Sequence, residues 1–382
     1  MKKWIVMILL VALCLGLVCC TGTDDPTDDP PPQTTESTAA AGQVRILNMD
    51  PNLNAAYEAL AAEYFDLTGT QVKVISAVDE EVPTLRTVTN ASQLPKNCVD
   101  LSQTAACGQL ASQKLTLQDD AGQVCAVAAD VEVFGLVYNS TLLAKTSNTR
   151  SDIQSFSALT EVVYSITDRK ATLGFSAFAQ VDPDDRFALQ LASMSCDARN
   201  LVDLILNNTT GDPLLLVQNS QGDALQEFLK GKVVFFLAGS REQETLEAIG
   251  TENMGVIPVY TGGENEENQS LCAVARSYWC VDADASEQDV AATLEFLDFL
   301  ICPRADGSVP VDDLGRMAPY RQAARVSNLL ESVFRSDLAM GKEPVVCRSV
   351  SRVPEGMTEA LIAYAENPSD ENWDAVVERM AQ

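Results

Sequence analysis

Strand-like apolar segments alternate along this chain with stretches whose apolar residues recur at helical spacing, and few folds accommodate that alternation. Val44 to Leu47 reads as a short strand. Leu53, Ala56, Tyr57, Leu60, Ala61, Tyr64 and Phe65 then fall at helical intervals, Gly69 closes the helix, and Val72 to Ile75 reads as a second strand. These residues make one β-α-β unit. The pattern recurs with strands at Phe134 to Tyr138 and Val233 to Leu237 and a helix at Ser286 to Ile301. In that helix Ser286 and Asp289 resemble a capping box, and Val290, Leu294, Leu297 and Ile301 form the expected inner stripe. The fold class is therefore α/β. Gln43 to Gln382 is about 340 residues, more than one hydrophobic core normally organises, so two domains are expected. In open α/β sheets ligands lie beyond the carboxyl ends of the strands, which directs attention to the residues just after each strand.

At the amino terminus, Lys2 and Lys3 precede an apolar run from Trp4 to Val18. The run is shorter than the roughly 20 residues of a spanning helix, and residues 1–19 are expected to be a signal peptide. Leu17-Val18-Cys19-Cys20 resembles the bacterial lipobox, which makes Cys20 the expected lipidated first residue of the mature chain. Thr21 to Gly42 is rich in Asp, Pro, Thr, Ser and Ala, with Pro30-Pro31-Pro32 at its centre. Residues 20–42 are accordingly expected to be a disordered tether that holds the protein on the extracytoplasmic face of the cell membrane.

The formal net charge is −28, and loss of the leader removes two lysines and no acid. So acidic a chain suits neither nucleic acid nor anionic lipid surfaces. Histidine is absent, which removes the usual triad base and the commonest metal ligand together, and neither a metal nor a cofactor is expected. Beyond the leader and Cys20, the cysteines are Cys98, Cys107, Cys125, Cys196, Cys272, Cys280, Cys302 and Cys347. No close CxxC pair suggests zinc or redox chemistry; Cys272 with Cys280 is the candidate disulfide, and most of the others are expected to be small buried hydrophobes. The cluster Asp182, Asp184 and Asp185 lacks the spacing and glycine of an EF-hand loop and reads as a solvated turn.

Several longer segments carry a family resemblance. Val44 to Leu47 followed by Asn48-Met49-Asp50-Pro51 resembles the opening of family 1 extracellular solute-binding proteins. Glu132-Val133-Phe134-Gly135-Leu136-Val137-Tyr138-Asn139 resembles the first crossing between the lobes of that family. Phe228-Leu229-Lys230-Gly231-Lys232-Val233-Val234-Phe235-Phe236 resembles its later glycine-lysine and apolar-strand motif, and Ser277 to Ser286 resembles the return crossing. The resemblance implies a two-lobed periplasmic-binding-protein-like fold of type II with a hinge and an interlobe cleft. Lobe 1 would hold residues 43–137 and about 278–315, and lobe 2 about 138–277 and 316–382. It further implies a receptor, expected to be monomeric, that delivers a small solute, most often a mono- or oligosaccharide, to the permease subunits of an ABC transporter. Two departures bear on the ligand: Gly239-Ser240-Arg241 stands where family members often present an aromatic ring, and Ala275-Arg276-Ser277 stands where close relatives have a polar run.

The candidate ligand-binding residues are Asn48 and Asp50 after the first strand, Asp79 after the second, Glu132 near the first crossing, and Phe175 and Phe178 in a second-lobe loop. Arg241 and Arg276 are further candidates, and if either faces the cleft an acidic sugar or carboxylate becomes a possible ligand. Pairing of Arg241 with Glu242 or Glu244 is the alternative. Tyr278 and Trp279 complete the set; in an extended segment only one of the two can readily line the cleft, and Trp279 is the expected ligand-facing ring. Two other functions remain open at this point, an extracytoplasmic glycoside hydrolase and a sensor lipoprotein coupled to a membrane kinase. The first needs two carboxylates facing each other across roughly 5 to 10 Å, and no motif marks such a pair.

Overall fold

The computed structural model describes residues 42–75, 81–179, 186–194, 198–209, 224–241, 251–350 and 352–381. The expected leader, Cys20, nearly all of the tether, Asp79, the cluster Asp182, Asp184 and Asp185, and the alternative partners Glu242 and Glu244 lie outside them. Among the described residues no helix is long and apolar enough to cross a membrane.

The strands are β1 (Val44–Leu47), β2 (Val72–Ile75), β3 (Leu85–Val88), β4 (Thr116–Gln118), β5 (Val124–Asn139), β6 (Ser176–Phe178), β7 (Val233–Gly239), β8 (Met254–Ile257), β9 (Gln269–Val281) and β10 (Glu343–Cys347). They form one sheet in the order β2-β1-β3-β9-β5-β7-β6, with β10 against β9 and both β4 and β8 against β5. The expected β-α-β unit is present: β1 pairs in parallel with β2, and the helix Asn54–Thr68 connects them. That helix ends where expected, at Gly69, whose φ of 75° lets its N–H reach back to the carbonyl of Phe65. Its start is organised by Asp50, which caps the short 3-10 turn Pro51–Leu53 by accepting from the backbone N–H of Asn52.

Glu287–Ile301 is the expected helix with Ser286 as its cap. Its buried face is rotated from the expected stripe: Ala292, Thr293, Phe296, Leu297, Leu300 and Ile301 are buried, whereas Val290 and Leu294 are only partly covered. The reason is a neighbour that the periodicity does not reveal, since Phe296 meets Tyr64 of the first helix edge-on with ring centroids 5.2 Å apart.

Two long strands position the site. The expected strand Phe134 to Tyr138 is the end of the sixteen-residue β5, which at the usual rise spans about 50 Å. Val131, Val133 and Val137 on one face join one hydrophobic core, and Phe134, Leu136 and Tyr138 on the other join a second. With both faces covered, β5 is apolar almost throughout. Tyr138 packs over Gly255 of β8, where a Cβ would lie 2.2 Å from its ring, so only glycine fits beneath it. β9 runs antiparallel to β5, and their register slips on either side of Asp130. Such bulges bend a strand and re-aim its side chains.

The candidate disulfide between Cys272 and Cys280 is ruled out. Both residues belong to β9, where eight residues of extended chain separate them by about 26 Å, against the roughly 7 Å between Cα atoms that a disulfide tolerates.

Candidate functional site

At the slipped register a cleft opens between β5, β9 and the loop after β1. It is lined by Asn48, Met49, Asp50, Leu53, Tyr57, Thr87, Val88, Thr89, Asp130, Arg241, Arg276, Ser277 and Arg316. Its volume is about 150 Å³, below the roughly 300–1,000 Å³ of typical ligand pockets.

The floor is a hydrogen-bonded frame. Thr87 of β3 donates from its hydroxyl to Asn48 Oδ1 at 3.1 Å and accepts from the backbone N–H of Met49 at 2.7 Å. Asn48 Nδ2 donates to the carbonyl of Asp50 and, at 2.9 Å, to Asn54 Oδ1. The Asp50 carboxylate accepts from Asn52 and, at 3.0 Å, from Arg316 Nη2. Burial alone would raise the Asp50 pKa, but the hydrogen bonds from Asn52 and Arg316 outweigh it and hold the carboxyl below its ordinary value.

The walls carry opposed charges. Arg241 Nη2 lies 2.5 Å from Asp130 Oδ2, and its Nε lies 3.9 Å from Glu132 Oε2. Arg276 donates to the same Glu132 oxygen through Nε at 2.9 Å and through Nη2. Asp130 is only 9% exposed. Burial raises its pKa and prevails over the lowering influence of Arg241, Arg316 and Arg276. Three carboxylates thus face three guanidinium groups, and the cleft combines many donors and acceptors with little net charge.

Of the expected site residues, Asn48, Asp50, Arg241 and Arg276 line this cleft, and Glu132 stands directly behind two of the arginines. The aromatic candidates do not line it. Trp279 is 0% exposed; its indole Nε1–H donates to the Tyr57 hydroxyl at 2.8 Å and its ring stacks on Tyr320 with centroids 6.1 Å apart. Tyr278 is also buried, because β9 is an inner strand with both faces covered. Phe175 and Phe178 are core residues, and Phe178 packs on Phe235.

The model of the bacterial extracellular solute-binding protein family matches residues 56–306. The chain belongs to that family. Its members are binding proteins rather than enzymes and work outside the cytoplasm, which removes the hydrolase alternative. No curated protein matches the sequence of this solute-binding protein. Among solved structures it is similar to a family 1 extracellular solute-binding protein from Bifidobacterium longum subsp. infantis, with a TM-score of 0.62 and 14% identity over 89% of this chain and 99% of that one. It is similar to apo RafE from Streptococcus pneumoniae, with a TM-score of 0.58 and 11% identity over 90% of this chain and 97% of that one. A third similar structure is the cyclic alpha-maltosyl-1,6-maltose binding protein from Arthrobacter globiformis, with a TM-score of 0.57 and 15% identity over 89% of this chain and 98% of that one. At such identities the likeness establishes the fold, which is the expected two-lobed one.

Sequence reasoning passed over Tyr57, Asp130 and Arg316 of the solute-binding protein. Tyr57 sits in the apolar stripe of its helix and looks like core. It is buried, and burial, reinforced by Asp130 and Asp50 and partly offset by Trp279, raises its pKa so that the phenol keeps its proton. Because the hydroxyl oxygen accepts from Trp279, its own O–H is left to donate elsewhere, and Tyr57 lines the cleft. Asp130 had a legible signal: with Glu132 it interrupts an otherwise apolar strand on one side of the pleat. Arg316 had none, since it follows a glycine in a loop remote in sequence from the other site residues.

Proposed function

We propose that this solute-binding protein captures a carbohydrate in the cleft around Asp130, Arg241 and Arg276 and hands it to the permease subunits of an ABC importer. The observation that carries this reading is the convergence of Asn48, Asp50, Tyr57, Asp130, Arg241, Arg276 and Arg316 on one cleft. A neutral polyhydroxylated solute suits that arrangement, since each of its hydroxyls can donate to a carboxylate oxygen while accepting from a guanidinium. The charge balance makes an acidic sugar the poorer fit, although Arg241 and Arg276, either of which would serve that alternative, both face the cleft. The ring among the described lining residues is Tyr57, so on this reading hydrogen bonds do the work that stacking does elsewhere. The name of the Arthrobacter globiformis protein, which specifies a cyclic maltosyl-maltose, supports the carbohydrate class.

On the same reading residues 43–137 with about 278–315 form one lobe and about 138–277 with 316–382 the other. The lobes close by hinge motion near Val137–Asn139 and Ser277–Trp279, and the register slips beside Asp130 supply a bend next to the ligand. Lipid on Cys20 holds the receptor, a monomer, at the membrane. Replacing Cys20 by Ser should shift the processed protein from the membrane to the soluble fraction; processed Cys20→Ser protein that stays with membranes would refute the anchor.

A thermal-shift screen against neutral mono- and oligosaccharides, with uronic acids as the charged comparison, tests the ligand class. A ligand at a hundred times its Kd adds about 2.7 kcal/mol, and a melting temperature raised by roughly 5 °C or more is expected from at least one neutral sugar. A response confined to uronic acids, or no response from any sugar, would overturn the neutral-carbohydrate reading.

A further inference from the structure

The segment around Cys98 and the strand β5 occupy successive places along one edge of β9. Ala283 donates from its backbone N–H to the carbonyl of Asn97 at 3.0 Å, and Val99 donates to the carbonyl of Val281 at 3.0 Å, which sets Cys98 opposite Asp282. Two residues further along β9, β5 takes over with Ala126 opposite Cys280. The two segments are also tied to each other: Leu101 N–H donates to the carbonyl of Val124 at 2.9 Å, and Gln123 Nε2 donates to the carbonyl of Cys98 at 2.9 Å. This lacing sets Cys98 and Cys125 on adjoining segments, and the neighbouring Cys125 thiol is, after burial, among the groups that raise the Cys98 pKa. Cys98 is half-buried and Cys125 and Cys280 are buried, and Cys280 is close enough to both for their charges to act on it.

We propose that Cys98 and Cys125 form a disulfide in the exported protein. Members of this family work outside the cytoplasm, where disulfides form and persist, and these residues lie on neighbouring backbone segments, unlike Cys272 and Cys280. The chemistry is thiol–disulfide exchange with a donor disulfide carried by an exported thiol oxidase. The Cys98 thiolate attacks one donor sulfur and expels the other as a thiolate, giving a mixed disulfide; the Cys125 thiolate then attacks Cys98 Sγ and expels the second donor sulfur. The two protons and two electrons given up by the cysteine thiols leave on the donor, now a dithiol. Burial pushes the Cys98 thiol up to about 12, so the exchange belongs to folding, before the thiols are covered. The bond would close the chain from Cys98 to Cys125 into a loop and fix the start of β5, five residues before Asp130.

Peptide mapping of the full chain recovered from the extracytoplasmic fraction tests the assignment. The protein is denatured without reductant in iodoacetamide, digested and analysed by mass spectrometry. The expected result is a Cys98 peptide joined to a Cys125 peptide, with Cys280 alkylated, and prior reduction should convert both halves to alkylated peptides. Full alkylation of Cys98 and Cys125 in the unreduced sample would overturn the proposal, as would either of them joined to Cys280.

Discussion

Trp279→Ala is expected to destabilise the protein by about 3–5 kcal/mol, the usual cost of deleting a large ring from a packed core. The indole is fully buried, stacked on Tyr320 and hydrogen-bonded to Tyr57. Its removal leaves a cavity and takes the donor from a buried phenol. Trp279→Phe retains most of the volume and isolates the second effect, so a loss of about 1–3 kcal/mol is expected. Urea unfolding followed by circular dichroism measures both. If Trp279→Ala unfolds within 1 kcal/mol of the parent yet no longer binds solute, the ring belongs to the ligand and not to the core.

Replacing Asp130 should separate stability from binding. In a cleft whose charges are arranged in pairs, removing one charged partner is expected to weaken binding of a sugar identified by the thermal-shift screen about 100-fold, or about 2.7 kcal/mol. Stability should move the other way. Burial raises the Asp130 pKa in the folded protein above its ordinary value. The stability linked to its proton is therefore fully present below the ordinary pKa and is lost as pH rises through the folded-state value, so the ionised form carries a cost at neutral pH. Asp130→Asn lifts that cost, and its melting temperature at pH 7 is expected to equal or exceed that of the parent. Asp50, whose pKa is lowered, keeps its charge to lower pH. Acidification from neutrality should then protonate Asp130 first and weaken sugar binding, a pH dependence that Asp130→Asn should lack. Isothermal titration of both proteins across that range, with melting curves, measures the difference. A destabilised Asp130→Asn protein with intact affinity would make the Asp130–Arg241 pair structural.

Local chemistry made the elements legible. Helical spacing from Leu53 to Phe65, the glycine at position 69 and the cap at Ser286 each act within a few residues, and the strands and helices stand where those signals put them. Asn48 and Asp50 could be found because the end of a strand in an α/β sheet is where ligands collect. The rotated face of Glu287–Ile301 was not legible, because the partner that covers it, Tyr64, comes from a different helix.

The alternation of elements, the family and the acidic character are legible in the amino-acid sequence, because they depend on residues close together in the chain or on composition. Which side chains meet depends on long-range packing. Strand alternation required Tyr278 and Trp279 to point to opposite faces, but whether either face was open depended on what covered β9, and both were covered. Cys272 and Cys280 are close in sequence yet far apart on an extended strand, whereas Cys98 and Cys125 lie on neighbouring segments because both segments share one edge of β9. Asp130, Arg241, Arg276 and Arg316 likewise form one site only because the fold brings residues from distant parts of the chain to a common cleft beside the slip between β5 and β9. Strand register and sheet order are set by long-range packing, and neither periodicity nor spacing along the chain encodes them.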